Sequence, residues 1–566
     1  MRLERFIPAC ILTTFLLLFV SPVPTSAADP APPAKGGVVV SVSGPASDVG
    51  AAVLRKGGTA VDAAVATAFA LAVTYPAAGN VGGGGYLLVH PNGSGDPAVF
   101  DFREVAPAAA TRDMFVKLAD RSAHRRIGVP GTVAGLAMAH KAYGKLPWAE
   151  LVAPAVKLAG EGFELDAFNA ASISATVRNS VGDASAEFRR VFGKPGGGSW
   201  KVGDRLVQPD LKETLARIAE KGPDGFYTGK TADLIAAEMT RGGGLITRED
   251  LAAYKPVRRV PVVGKYRGYD VYTAPPSSSG GFTLLEQLNI LETFDFKPAD
   301  RWEPRTIHLI VEAMRRAYRD RAHDLGDPAF TPISRRMLDK AYAKELAAGI
   351  DPKRATPSAD LAGDIPLALE SEQTTHFSVV DGSGAAVSLT YTLENSYGGK
   401  VVVRGAGFLM NDEMNDFGWL PGVTNPTGRI GTPPNLVAPG KRMLSSMCPT
   451  ILVKNDTPVL VTGSPGGRTI INTVLNVVVN TVDFGMDLRA AVDAPRIHHQ
   501  WFPDVIRGEA AFVKGHPELV AKLKEMGHRV DQVQSQGDAH SIWIDPATGR
   551  VTGVADRRIS GKASAE

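Results

Sequence analysis

The chain has 566 residues, 44% of them hydrophobic and 21% charged, a composition that excludes a disordered or fibrous protein. Its length allows roughly three or four domains of about 150 residues, or one large layered α/β unit. A net charge of +3 and a pI near 8.6, with lysine and arginine dispersed along the chain, give no basic stripe for a nucleic acid.

Arg2 and Arg5 precede an apolar run from Ile7 to Val20, followed by Pro22, Pro24 and the small residues Ser26, Ala27 and Ala28. That order is a secretory signal peptide over residues 1–27, and it predicts an exported protein, periplasmic or extracellular. The apolar run is about 14 residues, short for a membrane span. Cys10 precedes most of it, which argues against a lipid-anchored cysteine. Removal of the leader leaves Cys448 as the sole cysteine, so no intramolecular disulfide can form and stability must come from the core.

Asp29 to Gly37 reads as a flexible segment, and Val38-Val39-Val40 begins a strand. Small-residue helices over Ala46–Leu54 and Ala60–Val73 follow, then the glycine-rich turn Gly79–Gly85 and a strand over Tyr86–Val89. Asp62 and Pro76 mark the alanine-rich helix as a buried one and not a membrane span. Further on, Ile307, Ile310, Val311, Met314 and Tyr318 recur at helical spacing. Arg315, Arg316, Arg319 and Arg321 lie largely off that stripe and are expected to form a solvated face.

Pro352 to Leu369 predicts a loop, an exposed approach to Gln373-Thr374-Thr375-His376. A strand over Phe377–Val380, the turn Asp381–Gly384 and a second strand from Ala385 to Thr392 form a β-hairpin. With a three-residue loop and Gly384 left-handed, Thr392 falls opposite Thr374; a two-residue loop would move the pairing by one.

Several chemistries are excluded. The chain has no His-Glu-x-x-His zinc pair, and Asp224–Thr231 lacks the first glycine of a phosphate-binding loop. Thr462 breaks the Gly-x-Ser-x-Gly pattern around Ser464, and His498 and His499 read as structural groups. What remains suits acyl transfer. Thr462–Arg468 joins a strand over Val459–Val461 to an apolar helix from Ile470, and its consecutive glycines can aim N–H groups at an oxyanion or form a tight turn. Ser445 and Ser446, between Lys441-Arg442 and a strand over Thr450–Val453, offer hydroxyls to a carboxylate or serve as turn residues. Glu413 and Asp416 suit an ammonium group or a surface acidic turn. Thr374 becomes chemically special on one condition. Cut before it, Thr374 holds a free α-amine beside its own hydroxyl, and one residue then supplies nucleophile and base.

In Gly82–Tyr86, Asp101–Glu104, Gly128–Gly131, Thr374–His376, Leu444–Met447, Gly463–Gly467 and Pro495–Trp501, the chain after the leader resembles the γ-glutamyltranspeptidases, or glutathione hydrolases. These belong to the N-terminal-nucleophile hydrolase superfamily. The resemblance implies an α+β fold, an αββα four-layer sandwich built from both fragments of a precursor that cuts itself between Gln373 and Thr374. A large subunit, 28–373, and a small subunit, 374–566, would stay together as a heterodimer. Thr374 would be the nucleophile and its α-amine the base, supported by Thr392, with Gly466 and Gly467 forming the oxyanion hole. Arg103, Ser445 and Ser446 would hold the substrate α-carboxylate, and Glu394, Glu413 and Asp416 would surround its α-amino group. A γ-glutamyl group is a zwitterion at its far end, so opposite charges on two sides fit it, and Arg103 can fork onto a carboxylate where lysine cannot.

Glutathione is the implied donor, water, amino acids or short peptides the acceptors, and no metal or organic cofactor is implied. Glu394 stands where some relatives carry asparagine, and Thr427 where some carry a tyrosine, within Pro421–Pro439, a candidate cover over the site. Two rivals remain: an acylase or amidohydrolase of the same fold acting on glutaryl β-lactams, and a binding protein of the same fold that never matures.

Overall fold

Two antiparallel sheets stacked face to face carry the architecture in the computed structural model, which describes residues 36–93, 95–182, 185–362, 374–425, 427 and 430–566. The expected leader and Gln373 lie outside the described residues. The first sheet has seven strands in the order Lys562–Ala565, Val38–Ser41, Thr375–Val380, Ala386–Thr392, Gly84–His90, Ala98–Asp101 and Val257–Arg259. The second has six, in the order Val551–Val554, Ser541–Ile544, Thr457–Thr462, Thr450–Lys454, Tyr269–Thr273 and Val262–Tyr266. Each sheet therefore combines strands from before and after residue 374, interleaved in the first and joined side by side in the second.

Side chains alternate between two apolar layers, as period-2 geometry requires. Val39, Leu87, Val89, Phe377, Val379, Val387 and Leu389 pack outward against helices Gly44–Arg55 and Ala60–Thr74. Val38, Val40, Tyr86 and Leu88 turn inward and belong to the apolar cluster that also holds Ile451, Leu452, Val459 and Val461 of the second sheet. Helices Gly280–Leu291, Pro304–Asp324 and Thr469–Val482 belong to that second core. The result is an αββα sandwich, as expected. Burying each valine or leucine contributes about 1.5–3 kcal/mol, and large aliphatic layers are what a chain without disulfides needs.

With both sheet faces buried, alternation alone cannot choose the register of the central hairpin, so the turn must. Asp381 Oδ1 accepts from Ser383 N at 2.9 Å, Ser383 Oγ at 2.6 Å and Ala385 N at 3.1 Å. Gly384, at φ +83, takes the left-handed position that closes the loop. Pairing runs from Ala386 with Val380 to Tyr391 with Thr375, the three-residue-loop register; one further step sets Thr392 level with Thr374.

The same aspartate ties the hairpin to the helical layer, because its Oδ2 accepts from Ala60 N at 2.8 Å. Thr59 and Asp62 form a capping box there, and the helix Ala60–Thr74 is buried along its whole length. Its neighbour crosses it closely at Gly50, where a Cβ would stand 2.3 Å from Thr67 Oγ1. No helix among the described residues is long and apolar enough to cross a membrane.

The arginines of helix Pro304–Asp324 depart from expectation. Arg315, Arg316 and Arg321 are buried, and Arg319 is half-buried. Arg315 donates to Ser358 Oγ at 2.7 Å and pairs with Glu312 at 3.2 Å; Arg316 pairs with Glu312 and donates to Gly349 O at 2.9 Å. The face opposite the apolar stripe is covered by chain on its far side, so these charges are neutralised internally instead of by solvent.

Candidate active site

Thr374 stands one residue before strand Thr375–Val380, almost buried at the edge of a narrow pocket. The pocket is lined by Arg103, Thr374, Glu394, Glu413, Asp416, Ser445, Ser446, Met447, Gly467, Arg468 and Ile470. Eight of these are residues singled out in the sequence, drawn from segments as distant as Arg103 and Gly467. Gly466 lines a second cavity that also reaches Thr374. Thr392 lines neither; its Oγ1 accepts from Glu394 N at 2.8 Å and its carbonyl from Asn80 Nδ2 at 2.8 Å.

Arg103 follows strand Ala98–Asp101 and is anchored along its length. Its N–H donates to Asp101 Oδ1 at 3.0 Å, its Nε to Met443 O at 3.3 Å, and its carbonyl accepts from Tyr254 Oη at 2.9 Å. The guanidinium forks onto Glu413 Oε1 and Asp416 Oδ2, with Glu104 Oε2 3.8 Å away. The sequence reading gave Arg103 and the acidic pair to opposite ends of a substrate; the structure joins them directly. Burial opposes the charge on Arg103, but Glu413, Asp416 and Glu104 more than offset it and hold the guanidinium above its ordinary range.

The carboxyl groups are perturbed the other way. Burial pushes Glu413 and Glu394 well above the carboxylate range, with Arg103 pulling each of them back. Burial also raises Glu104 to about 7, against the opposing effect of Arg103. Glu394 is held at φ +75, a left-handed backbone that costs a non-glycine residue about 1–2 kcal/mol. Glu413 Oε2 and Glu394 Oε1 have no hydrogen-bond partner among the described residues. Buried acceptor oxygens of this kind suit a cationic amine, whose arrival would favour their ionised forms.

On the opposite side the serines are set up as donors. Ser446 Oγ accepts from Arg321 Nη2 at 2.8 Å and Ser445 Oγ from Met447 N at 3.0 Å, so each hydroxyl can turn its own proton toward an anion. Arg321 Nε also donates to Ser279 Oγ at 2.8 Å, which in turn donates to Ser445 O at 2.6 Å. Ser445 N donates to Ser277 O at 3.1 Å, so the Ser277–Ser279 run braces the serine pair. The sequence reading missed Arg321 and Arg468. Arg468 directly follows Gly466-Gly467, which was the signal for it; nothing local marked Arg321.

Gly466 and Gly467 adopt φ +126 and +53 just ahead of helix Thr469–Val482, whose N-terminal end favours a developing negative charge. The loop is packed from below by His376, whose ring would lie 2.3 Å from a Cβ at Gly463. His376 bonds Thr390 Oγ1 at 2.9 Å and Ser378 Oγ at 3.1 Å, and burial holds it neutral, well below the usual histidine range. Ser464 Oγ donates to Pro465 O at 2.7 Å and accepts from Asp538 N at 2.9 Å, a bracing role. Thr427 is exposed and bonds Asn425 Oδ1, and no described residue of 421–439 lines the pocket. Asn435 of that segment braces the site from outside, donating to Asp416 O at 2.6 Å.

His308, Glu312 and His528 place ligand atoms within 4.8 Å of one another, a possible metal cluster the sequence reading did not raise. Their hydrogen bonds form a closed chain. His308 Nε2 donates to Asp351 O at 2.8 Å, leaving Nδ1 to accept from His528 Nε2 at 2.8 Å, while His528 Nδ1 faces Arg315 at 3.4 Å. Glu312 is paired with Arg315 and Arg316, so a cation would have to sit against two guanidiniums. His498 and His499 are likewise absorbed, by Asn472 and Gln500 at 2.8 Å each and by Asp504 at 3.1 Å.

The family model described as gamma-glutamyltranspeptidase matches residues 46–566. The chain is 45% identical over 555 residues to a glutathione hydrolase proenzyme of Escherichia coli, covering 94% of each. Among solved structures, a cephalosporin acylase from Bacillus halodurans is similar at a TM-score of 0.83 and 29% identity, over 98% of this chain and 99% of that one. A chain of the Helicobacter pylori gamma-glutamyltranspeptidase is 40% identical with a TM-score of 0.54, over 56% of this chain and 93% of that one. The match runs through both sheets and every segment of the pocket, and the chain belongs to the gamma-glutamyltranspeptidase family.

Proposed function

We propose that the protein is an exported, self-processing γ-glutamyltranspeptidase and glutathione hydrolase, cut between Gln373 and Thr374 into subunits 28–373 and 374–566. The observation that carries this is the single pocket in which Thr374 and Gly467 meet Arg103, the serine pair and three carboxyl groups. Each sheet holds strands from both fragments, which supports a heterodimer that survives the cut.

In the first half-reaction Thr374 Oγ attacks the γ-carbonyl carbon and its proton passes to the Thr374 α-amine. The tetrahedral oxygen takes its negative charge at the N–H groups of Gly466 and Gly467. The carbon–nitrogen bond then breaks, the α-ammonium returns the proton to the leaving amine, and a γ-glutamyl ester of Thr374 remains. Water or an incoming amine attacks the ester and gives a proton to the α-amine; the carbon–Oγ bond breaks and Oγ recovers that proton. His376 is neutral and engaged within its sheet, which leaves the base role to the α-amine.

Thr374→Ala tests this reading. The variant should remain one uncut chain by intact mass and show no turnover; cleavage at the normal rate would refute self-processing. In the unsubstituted protein the smaller fragment should begin at Thr374. A second reading, a glutaryl-type acylase, draws on the similarity to a cephalosporin acylase. The acidic groups weigh against it, because a donor without an α-amine leaves them no cation. Turnover of a glutaryl anilide equal to that of the γ-glutamyl anilide would reverse the assignment.

A further inference from the structure

Helix Gly280–Leu291 is buried along its whole length, yet it carries a glutamate in its middle. Glu286 is 0% exposed, and no N–H or hydroxyl among the described residues donates to either of its carboxyl oxygens. An ionised carboxylate in that state is among the costliest groups a core can hold. The group it meets is another acid. Glu286 hydrogen-bonds Asp320 of helix Pro304–Asp324, and between two carboxyl groups such a bond needs one shared proton.

Asp320 is the ionised partner, because its donors are already in place. Tyr342 Oη donates to its Oδ2 at 2.7 Å, Arg336 Nη2 to Oδ1 at 3.1 Å, and Arg319 Nη1 also to Oδ1. Arg336 Nε donates to Asp324 Oδ2 at 2.6 Å, so two arginines balance two aspartates and an ionised Glu286 would add an unbalanced charge. These groups come from helix Pro304–Asp324, the turn Arg336–Leu338 and helix Lys340–Ala348. Helix Thr469–Val482 meets Gln287 through Asn472 at 2.9 Å, and the adjoining strands meet Leu285 and Gly281 through Gly264 and Thr273, all uncharged contacts. Burial, then Asp320, pushes Glu286 well above the carboxylate range, with Arg336 pulling it back. Burial opposes the charge on Asp320, but hydrogen bonds from Glu286, Tyr342 and Arg319 outweigh it.

The same two helices carry the serine clamp of the pocket. Ser279, seven residues before Glu286, accepts from Arg321 Nε at 2.8 Å and donates to Ser445 O at 2.6 Å. Arg321 directly follows Asp320, and its Nη2 donates to Ser446 Oγ at 2.8 Å. The helices are thus joined at two points, Asp320 with Glu286 and Arg321 with Ser279, and the second joint ends on both pocket serines. Consecutive residues of one helix share a rigid backbone, so loosening the first joint displaces the second.

We infer that Glu286 is a positioning residue: as a neutral acid it donates to Asp320, and this clasp holds Arg321, and through it Ser445 and Ser446, in place for the α-carboxylate of the donor. The inference rests on the donor reading above.

The matured two-fragment enzyme is compared with Glu286→Gln and Glu286→Met. A glutamine amide donates to Asp320 at every pH, whereas methionine reaches as far and cannot donate. In urea denaturation at one protein concentration, the unfolding constant of the parent relative to Glu286→Gln should rise about tenfold for each pH unit from about 5 to 7, because Glu286 keeps its proton in the fold and loses it above about pH 4.3 once unfolded. Parallel pH dependence overturns the neutral acid, and this comparison decides if Glu286→Met does not fold. At pH 8, Glu286→Met should raise KM for γ-glutamyl p-nitroanilide about tenfold with kcat within about twofold, and Glu286→Gln should keep the parent KM. A parental KM in Glu286→Met, or a KM in Glu286→Gln as high as in Glu286→Met, overturns the positioning role. Absence of nitroaniline release from the parent overturns the donor reading and the positioning role with it, while the denaturation comparison still reads the shared proton.

Discussion

Replacing Arg103 by glutamine removes a fully buried guanidinium that faces Glu413, Asp416 and Glu104. Truncating one partner of a buried ion pair typically costs about 3–5 kcal/mol, because the other charge is left uncompensated. Here burial already raises Glu413 and Glu104, so these carboxyl groups can take up protons once the guanidinium is lost, and the lower end of that range is expected. Glu413→Gln alone should cost less, about 1–3 kcal/mol, since Arg103 keeps Asp416 and Glu104. With both replaced, part of the Arg103 penalty disappears, and the two changes should couple by about 1–3 kcal/mol. Urea denaturation of the four proteins of this cycle gives the coupling directly. In parallel, kcat/KM for a γ-glutamyl anilide should fall about 100-fold or more in Arg103→Gln, as expected when an anchor that sets the position of the scissile amide is lost. Arg103→Lys should fall nearly as far, because an ammonium cannot fork onto two oxygens. Additivity within about 0.5 kcal/mol would refute the pairing of Arg103 with Glu413 as an energetic unit, and a fully active Arg103→Lys would refute the fork.

Two further outcomes follow from the same pocket. Glu104 is pushed by burial from 4.5 up to about 7, so between those values the folded protein binds more protons than the unfolded chain. The stability this group contributes is complete below about 4.5 and is lost as pH rises through about 7. Glu104→Gln should therefore gain thermal stability relative to the parent as pH is raised from 5 to 8; parallel midpoints across that range would contradict a raised Glu104. Gly466→Ala forces a side chain onto φ +126 with its Cβ 2.4 Å from Thr469 Oγ1, displacing the loop proposed to hold the oxyanion. Its kcat should drop about 100- to 1000-fold, and retention of more than a tenth of the parent rate would remove Gly466 from that role.

The hairpin register was readable because its cause is local: Asp381 and Gly384 build the turn, and the turn sets every partner up to Tyr391 with Thr375. The strand leading into Gly466 and the buried helix Ala60–Thr74 were readable for the same reason, since glycine content and an unbroken apolar run are visible over a few residues. The arginines of Pro304–Asp324 were not. A helix with one apolar stripe and a charged opposite face has the same periodicity whether that face meets water or other chain, and here it meets Gly349, Ser358 and Ser446. Arg321 reaches the pocket through contacts 42 and 125 residues away in the chain, beyond any pattern of spacing. The union of Arg103 with Glu413 and Asp416 was hidden in a similar way, although each residue was named. Chemical type suggested what each could bind; only the packing shows that they also bind one another.

The position of Thr374 explains how a chain could be cut in its middle and keep its fold. The ladder between the two hairpin strands begins at Thr375, so a break before Thr374 removes no strand-to-strand hydrogen bond of that pair. On one side Thr375–Val380 is paired with Val38–Ser41 and on the other with Ala386–Thr392, which itself pairs with Gly84–His90. The new small fragment would thus begin as a central hairpin, Thr375–Thr392, clamped between Val38–Ser41 and Gly84–His90 of the large one. Separation would expose the apolar faces of both sheets, at a cost of about 1.5–3 kcal/mol for each large aliphatic side chain. The same clamp fixes the backbone that carries the proposed nucleophile, so a freed α-amine would stay beside the hydroxyl it is proposed to serve. A cut a few residues later, within Phe377–Val380, would sever the clamped strand itself and leave the proposed nucleophile, Thr374, on the wrong fragment.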